Sequence, residues 1–198
     1  MTNRKTAIVL IGYQNDYFAA DGILKSAISE SAGTNDTLQN TLRMVDALED
    51  SGAILIQTPI LFTRDYSELD HPIGILETIR QVGAFQEGSA GASVIPEFEG
   101  YGERIITVPG KRGLNAFSNT RLHASLQDQG VEHVVLAGAV TSICIDSTGR
   151  SAHELGYRVS ILSDCTAGRS NFEQSFYCEQ VFPLYAEVLT SEQFLAVA

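Results

Sequence analysis

Short apolar runs alternate with stretches of helical periodicity along nearly the whole chain, and few folds accept that order. Thr6–Ile11 (TAIVLI) is continuously apolar and ends at Gly12, as expected of a strand buried on both faces. Ala53–Thr58, Arg104–Val108, His133–Ala137, Arg158–Leu162 and Ala186–Leu189 supply five more strands, the second closed by Pro59 and the fifth by Ser163-Asp164. Thr34–Ser51 sets Leu38, Leu42, Val45 and Leu48 at helical spacing, with Thr34 or Asn35 as cap and Gly52 as stop. Helices are also expected over Ile73–Val82, over Asn115–Gln129, from Gly138-Ala139-Val140-Thr141 to about Leu155, near Asn171–Gln180 and at the C-terminus. Gly83–Gly102, with five glycines and one proline, reads as loop. Six strands separated by helices imply a three-layer α/β/α sandwich on a mostly parallel six-stranded sheet. At 198 residues the chain is expected to form a single domain, residues 1–198.

The charge balance narrows the partners. Thirteen Lys and Arg against 24 Asp and Glu give a formal net charge of −11, which repels phosphate backbones, so no nucleic acid is expected. No stretch approaches the ~20 apolar residues of a membrane span, and the run after Arg4 and Lys5 is shorter than the roughly 7–15 residues of a signal-peptide core. A cytoplasmic location without membrane contact is expected. Cys144, Cys165 and Cys178 form no disulfide framework or zinc spacing, and a reducing compartment suits them.

In parallel α/β sheets ligands bind beyond the carboxyl ends of the strands, where Gly12, the Asp65 region, Lys111, Cys144 and Asp164 all fall. Cys144 lies at the start of a helix, where the dipole and unpaired N–H groups favour a thiolate. Taken alone it reads more readily as a small core residue. The helix after it sets Thr148, Gly149, Ala152 and Gly156 at packing spacing. Lys111, between Gly110 and Arg112, suits stabilisation of a thiolate or a reacting oxygen, although most lysines are solvated surface charges. The P-loop pattern fails at Ile105 and Arg112, and GxGxxG is absent, so no cofactor is expected. Gly149-Arg150-Ser151-Ala152-His153 lacks the last glycine of a serine-hydrolase elbow and falls inside a helix. His123, His133 and His153 suit surface or core polar roles. Asp65, Glu68, Asp70 and His71 read first as an exposed acidic loop.

Taken together, Leu136-Ala137-Gly138-Ala139-Val140-Thr141-Ser142-Ile143-Cys144 resembles the nucleophile segment of the isochorismatase-like cysteine hydrolase superfamily. Gln14-Asn15-Asp16-Tyr17-Phe18, Lys111 with Ala116-Phe117 and Thr120-Arg121-Leu122, and Gly156-Tyr157 leading to Ser163-Asp164 support it in order and spacing. The resemblance implies Cys144 as nucleophile and Lys111 as its electrostatic support. It also implies a cis peptide between Ala139 and Val140, an oxyanion site at the backbone amides of Val140 and Cys144, and a homo-oligomer, a dimer or tetramer.

Two departures follow. Where the family carries a proton-transferring Asp, this chain has Gly12, and general acid–base assistance is typically worth about 10²–10⁴ in rate. Asp16 is the nearest candidate substitute; alternatively Gly12 leaves room for a water or a substrate's own acidic group, or the protein binds a ligand without turnover. Nicotinamidases of the family hold a metal on Asp-x-His, whereas here the stretch reads Asp65-Tyr66-Ser67 with His71 nearby, so no metal is expected. Tyr13, Phe18, Asp65 and His71 are the candidate substrate-pocket residues. The expected function is thiol-dependent hydrolysis of a small amide, carbamoyl or ester substrate. A ligand-binding or regulatory homologue and a vinyl-ether hydrolase of the isochorismatase type are the alternatives.

Overall fold

A computed structural model describes residues 5–198. Six strands, β1 (Thr6–Ile11), β2 (Ile54–Thr58), β3 (Ile105–Thr107), β4 (His133–Ala139), β5 (Arg158–Ala167) and β6 (Glu187–Leu189), form one sheet in the order β3-β2-β1-β4-β5-β6. Every pairing is parallel, so the sheet is wholly rather than mostly parallel. Side chains alternate across the pleat. Ala7, Val9 and Ile11 of β1 and Val134 and Leu136 of β4 join one core cluster, while Ile8, Leu10, Val135 and Ala137 join another on the opposite face.

Helices cover both faces because each contributes an apolar stripe. The first face receives Leu122 and Leu126 of α5 (Leu122–Asp128) and Ala152 of α6 (Asp146–Glu154). The second receives Met44 and Val45 of α3 (Thr37–Ala47) and Phe194 of α8 (Ser191–Leu195). A third cluster, including Tyr17, Ile60, Phe62, Phe85, Ala139 and Val140, lies over the carboxyl ends of the strands. Helices α1 (Asn15–Phe18), α2 (Ser29–Thr34), α4 (Ile75–Val82) and α7 (Asn171–Phe176) frame that end. The chain runs to one side of β1 through β2 and β3 and to the other through β4, so the crevice where connections diverge lies between β1 and β4.

Several expected boundaries shift. The helix expected over Thr34–Ser51 breaks at Asn35 and Asp36, whose φ of 49° lies in the left-handed region that Asp tolerates, and α3 begins only at Thr37. The Gly83–Gly102 segment is not all loop, since Pro96–Arg104 forms 3₁₀ turns kinked at Gly102. Residues 115–121 are turns, not helix. Ser163-Asp164 does not close β5: the strand shifts register opposite Leu136 and Gly138 and resumes to Ala167. Asp164 therefore serves structure, its carboxylate accepting from the Ser191 backbone N–H and hydroxyl, each at 2.7 Å, at the start of α8.

Candidate active site

The crevice is built from a close approach of β1 and β4. A Cβ on Gly138 would lie 1.8 Å from the Ile11 carbonyl oxygen, and the glycine's φ is 126°, so a side chain there would force the strands apart. Beyond it the Ala139–Val140 peptide is cis, and the chain enters a π-type turn over Thr141–Ile145. The N–H groups of Ile143 and Ile145 both donate to the Val140 carbonyl, at 3.0 and 3.2 Å. Cys144 is thus carried on a wound turn ahead of α6, not on the first turn of a regular helix as expected. Such bulges are frequent at functional positions.

Lys111 enters from beyond β3, where its carbonyl accepts from Leu61 N–H at 3.2 Å. The side chain is wholly buried, and its ammonium donates to the Gly113 carbonyl at 2.7 Å and to the Cys144 sulfur at 3.4 Å. Cys144 is 4% exposed. Among the described residues no carboxylate pairs with Lys111. A buried ammonium without a carboxylate is costly unless another atom carries the opposing charge, and the sulfur is the side-chain atom in reach.

Helix α7 holds the turn that carries Cys144. Thr141 hydroxyl donates to Gln174 Oε1 at 2.5 Å, and Ser142 hydroxyl donates to Glu173 Oε1 at 2.7 Å. Gln174 Nε2 in turn donates to the Ser163 carbonyl and Thr166 Oγ1, both at 2.9 Å. Burial pushes the Glu173 carboxyl upward, but Ser142 and Arg169 outweigh it and hold it below the usual carboxylate range. Sequence reasoning missed both residues, because nothing in their spacing ties them to position 144.

At the other side of the crevice Gly12 has a φ of 75°, and a Cβ on it would meet the Ala139 carbonyl oxygen at 2.9 Å and the Tyr17 ring at 3.5 Å. Asp16 is engaged by the backbone: its Oδ2 accepts from Phe85 N–H at 2.6 Å, and its carboxyl packs on Gly91. Burial raises its proton affinity, partly offset by that bond. Tyr13 is a core residue on the α3 face rather than a pocket residue, its hydroxyl bonded to Thr41 at 2.6 Å and to the Cys165 carbonyl at 3.0 Å. Phe18 stacks on Tyr13 with centroids 5.0 Å apart. The Tyr17 ring packs beside Gly12 in one cluster with Ala139 and Val140, and burial, with the charges of Cys144 and Asp16, raises its phenol above the ordinary value.

Asp65 and His71, also expected at the pocket, are both exposed. Asp65 accepts from Thr63 hydroxyl and Ser67 N–H in a local turn, and the His71 side chain is 96% exposed beside Asp70. No group of three or more His, Cys, Asp or Glu is arranged to hold a metal ion among the described residues. Of the dispersed histidines, His123 bonds the Tyr157 hydroxyl and His133 bonds Ser160. In α6, Gly149 faces Tyr185, whose ring atoms lie 2.9 Å from where its Cβ would be. No helix among the described residues is long and apolar enough to cross a membrane.

A parallel sheet with a buried cysteine and lysine meeting beyond its central strands defines a class of α/β protein with a candidate thiol nucleophile at the switch point. The Isochorismatase domain matches residues 6–193, and the chain belongs to that family. It is 28% identical over 174 residues to a ureidoacrylate amidohydrolase of Rhizobium rhizogenes, covering 82% of this chain and 70% of that protein. A probable inactive nicotinamidase of Arabidopsis thaliana is likewise 28% identical over 174 residues, 83% of this chain and 81% of the relative. Among solved structures, a cysteine hydrolase from Pseudomonas syringae superposes with a TM-score of 0.84 at 20% identity, covering 97% and 91% of the two chains. N-carbamoylsarcosine amidase from Thermoplasma acidophilum gives 0.73 at 22% identity over 95% and 97%. These superpositions show a shared fold.

Proposed function

We propose that this protein hydrolyses a small amide, carbamoyl or ester substrate through a thioacyl intermediate on Cys144. One observation carries the reading: a wholly buried ammonium whose side-chain partner is the Cys144 sulfur. A relative named for amidohydrolysis supports the bond type.

The chemistry follows from the groups present. The thiolate donates its electron pair to the substrate carbonyl carbon, and the charge developing on oxygen is taken by the backbone amides of Val140 and Cys144. Collapse breaks the bond to the departing nitrogen or oxygen, which takes a proton from the Lys111 ammonium and leaves a thioester. Water then adds to the thioester carbonyl, giving a proton to the neutral Lys111 amine, and the second collapse releases the acid and restores the thiolate–ammonium pair. Lys111 thus serves as acid and then as base, the work a carboxylate at position 12 would otherwise share.

Intact-mass screening against a panel of amides and esters tests this. A covalent adduct on Cys144 that is lost in Cys144→Ala, with turnover lost alongside it, is the expected result. Ligands that bind without adduct or turnover would instead establish a binding role, which the absence of a side chain at Gly12 favours.

A further inference from the structure

The turn that carries Cys144 is anchored on both sides of the sulfur. Downstream, the Asp146 carboxylate accepts from Arg150 Nε at 3.0 Å and from the Tyr185 hydroxyl at 3.1 Å. Upstream, the hold on Ser142 comes from another element through the Glu173 carboxylate, a residue only 8% exposed. Three donors converge on that carboxylate: Oε1 accepts from the Ser142 hydroxyl at 2.7 Å and from the Arg169 N–H at 3.1 Å, and Oε2 accepts from Arg169 Nε at 2.7 Å. It also sits against Gly168, where an added Cβ would stand 3.3 Å from Oε1. An ionised carboxylate has only acceptors, so the Ser142 hydroxyl must donate to it, in a bond roughly twice as strong as one between neutral groups. Burying a charge costs more than burying an amide, and a neutral side chain would have satisfied the same hydroxyl at less cost. The stronger hold falls on a π-type turn, a rare winding, set directly before the regular helix α6.

We propose that Glu173 is a positioning residue for the reaction, acting through Ser142 to keep the Thr141–Ile145 turn from rewinding into line with α6 and so to keep the Cys144 sulfur against the Lys111 ammonium. The proposal rests on the thiol-hydrolase reading and adds to it a residue that works only through another. Gln174 assists from the next position by accepting from Thr141, but that bond joins neutral groups and is the weaker of the two. Arg169, whose side chain is 63% exposed, orients the carboxylate from its outer side.

The test is the rate of Cys144 alkylation by iodoacetamide at pH 7, read by peptide mass, in Ser142→Ala, Glu173→Leu, the double variant and Glu173→Gln, with the thermal unfolding midpoint confirming that each is folded. Ser142→Ala and Glu173→Leu should each slow the reaction by about tenfold, as for loss of a hydrogen bond to a charged acceptor. The double variant should be no slower than the slower single, because both substitutions remove one and the same interaction. Glu173→Gln, which keeps an acceptor for Ser142, should return the rate to within about threefold of native. Leucine fills the space of Glu173 but accepts nothing, so a role in packing alone predicts a native rate in Glu173→Leu. Native rates in Ser142→Ala and Glu173→Leu, losses that multiply in the double variant, or faster alkylation in either single variant would each overturn the proposal while leaving the thiol reading intact. Should Glu173→Leu fail to fold, Ser142→Ala decides alone by the same criterion. Alkylation of Cys144 in the native protein no faster than of Cys165 and Cys178 removes both.

Discussion

Replacing Lys111 by methionine removes the ammonium and retains much of the buried hydrocarbon. Opposite unit charges 3.4 Å apart attract by roughly 5 kcal/mol at an effective dielectric constant of 20. Part of that is recovered, because the variant no longer buries a cation and water can solvate the sulfur in its place. A loss of about 10²–10³-fold in the rate of Cys144 alkylation at pH 7 is therefore expected. The assay is pseudo-first-order reaction with iodoacetamide, followed by the mass of the Cys144 peptide, with the thermal unfolding midpoint as a check on folding. A folded Lys111→Met protein whose Cys144 reacts within threefold of the native rate at pH 7 would refute the charge-pair argument.

Four further outcomes follow from the same geometry. Burial pushes Cys165 and Cys178 up to about 12, so at pH 7.5 brief alkylation should label Cys144 and leave those two largely unmodified. The same shifts predict a stability that is fully present below the ordinary thiol value of 9.0 and is lost as the pH rises toward 12, visible as a falling unfolding midpoint. Glu173 is shifted the other way: its contribution is present above the ordinary carboxyl value of 4.5 and lost as the pH falls through its lower folded value, so Glu173→Gln should flatten the acid limb of the stability curve. Tyr13→Phe should cost about 1 kcal/mol in denaturant unfolding through its lost bonds to Thr41 and the Cys165 carbonyl, and leave the Cys144 alkylation rate unchanged. A slower Cys144 there would return Tyr13 to the pocket.

The central strands were legible because their apolar runs are continuous, and continuous runs mean burial on both faces. That Cys144 and Lys111 meet at one edge was legible from their places after strand ends, which any parallel sheet collects there, while the roles expected of them came from the family resemblance. The aromatic lining was not. In β1, Ala7, Val9 and Ile11 face one cluster and Ile8 and Leu10 the other, so simple alternation would send Tyr13 with Ile11. The left-handed turn at Gly12 inverts that parity, turning Tyr13 toward the α3 face and leaving Tyr17 at the crevice. Ser163-Asp164 misled for a related reason: a pair typical of turns sits here in a register shift inside a strand. The Glu173 and Gln174 contacts with Ser142 and Thr141 span 31 and 33 residues, a separation at which local pattern carries no information.

That separation also fixes when the centre can form during synthesis. Cys144 leaves the ribosome some thirty residues ahead of the side chains that hold its turn, so a nascent chain ending before residue 173 has the sulfur but not its brace. Arrested chains of increasing length, probed with a thiol reagent, should therefore show mature Cys144 reactivity only after Glu173 and Gln174 have cleared the exit tunnel.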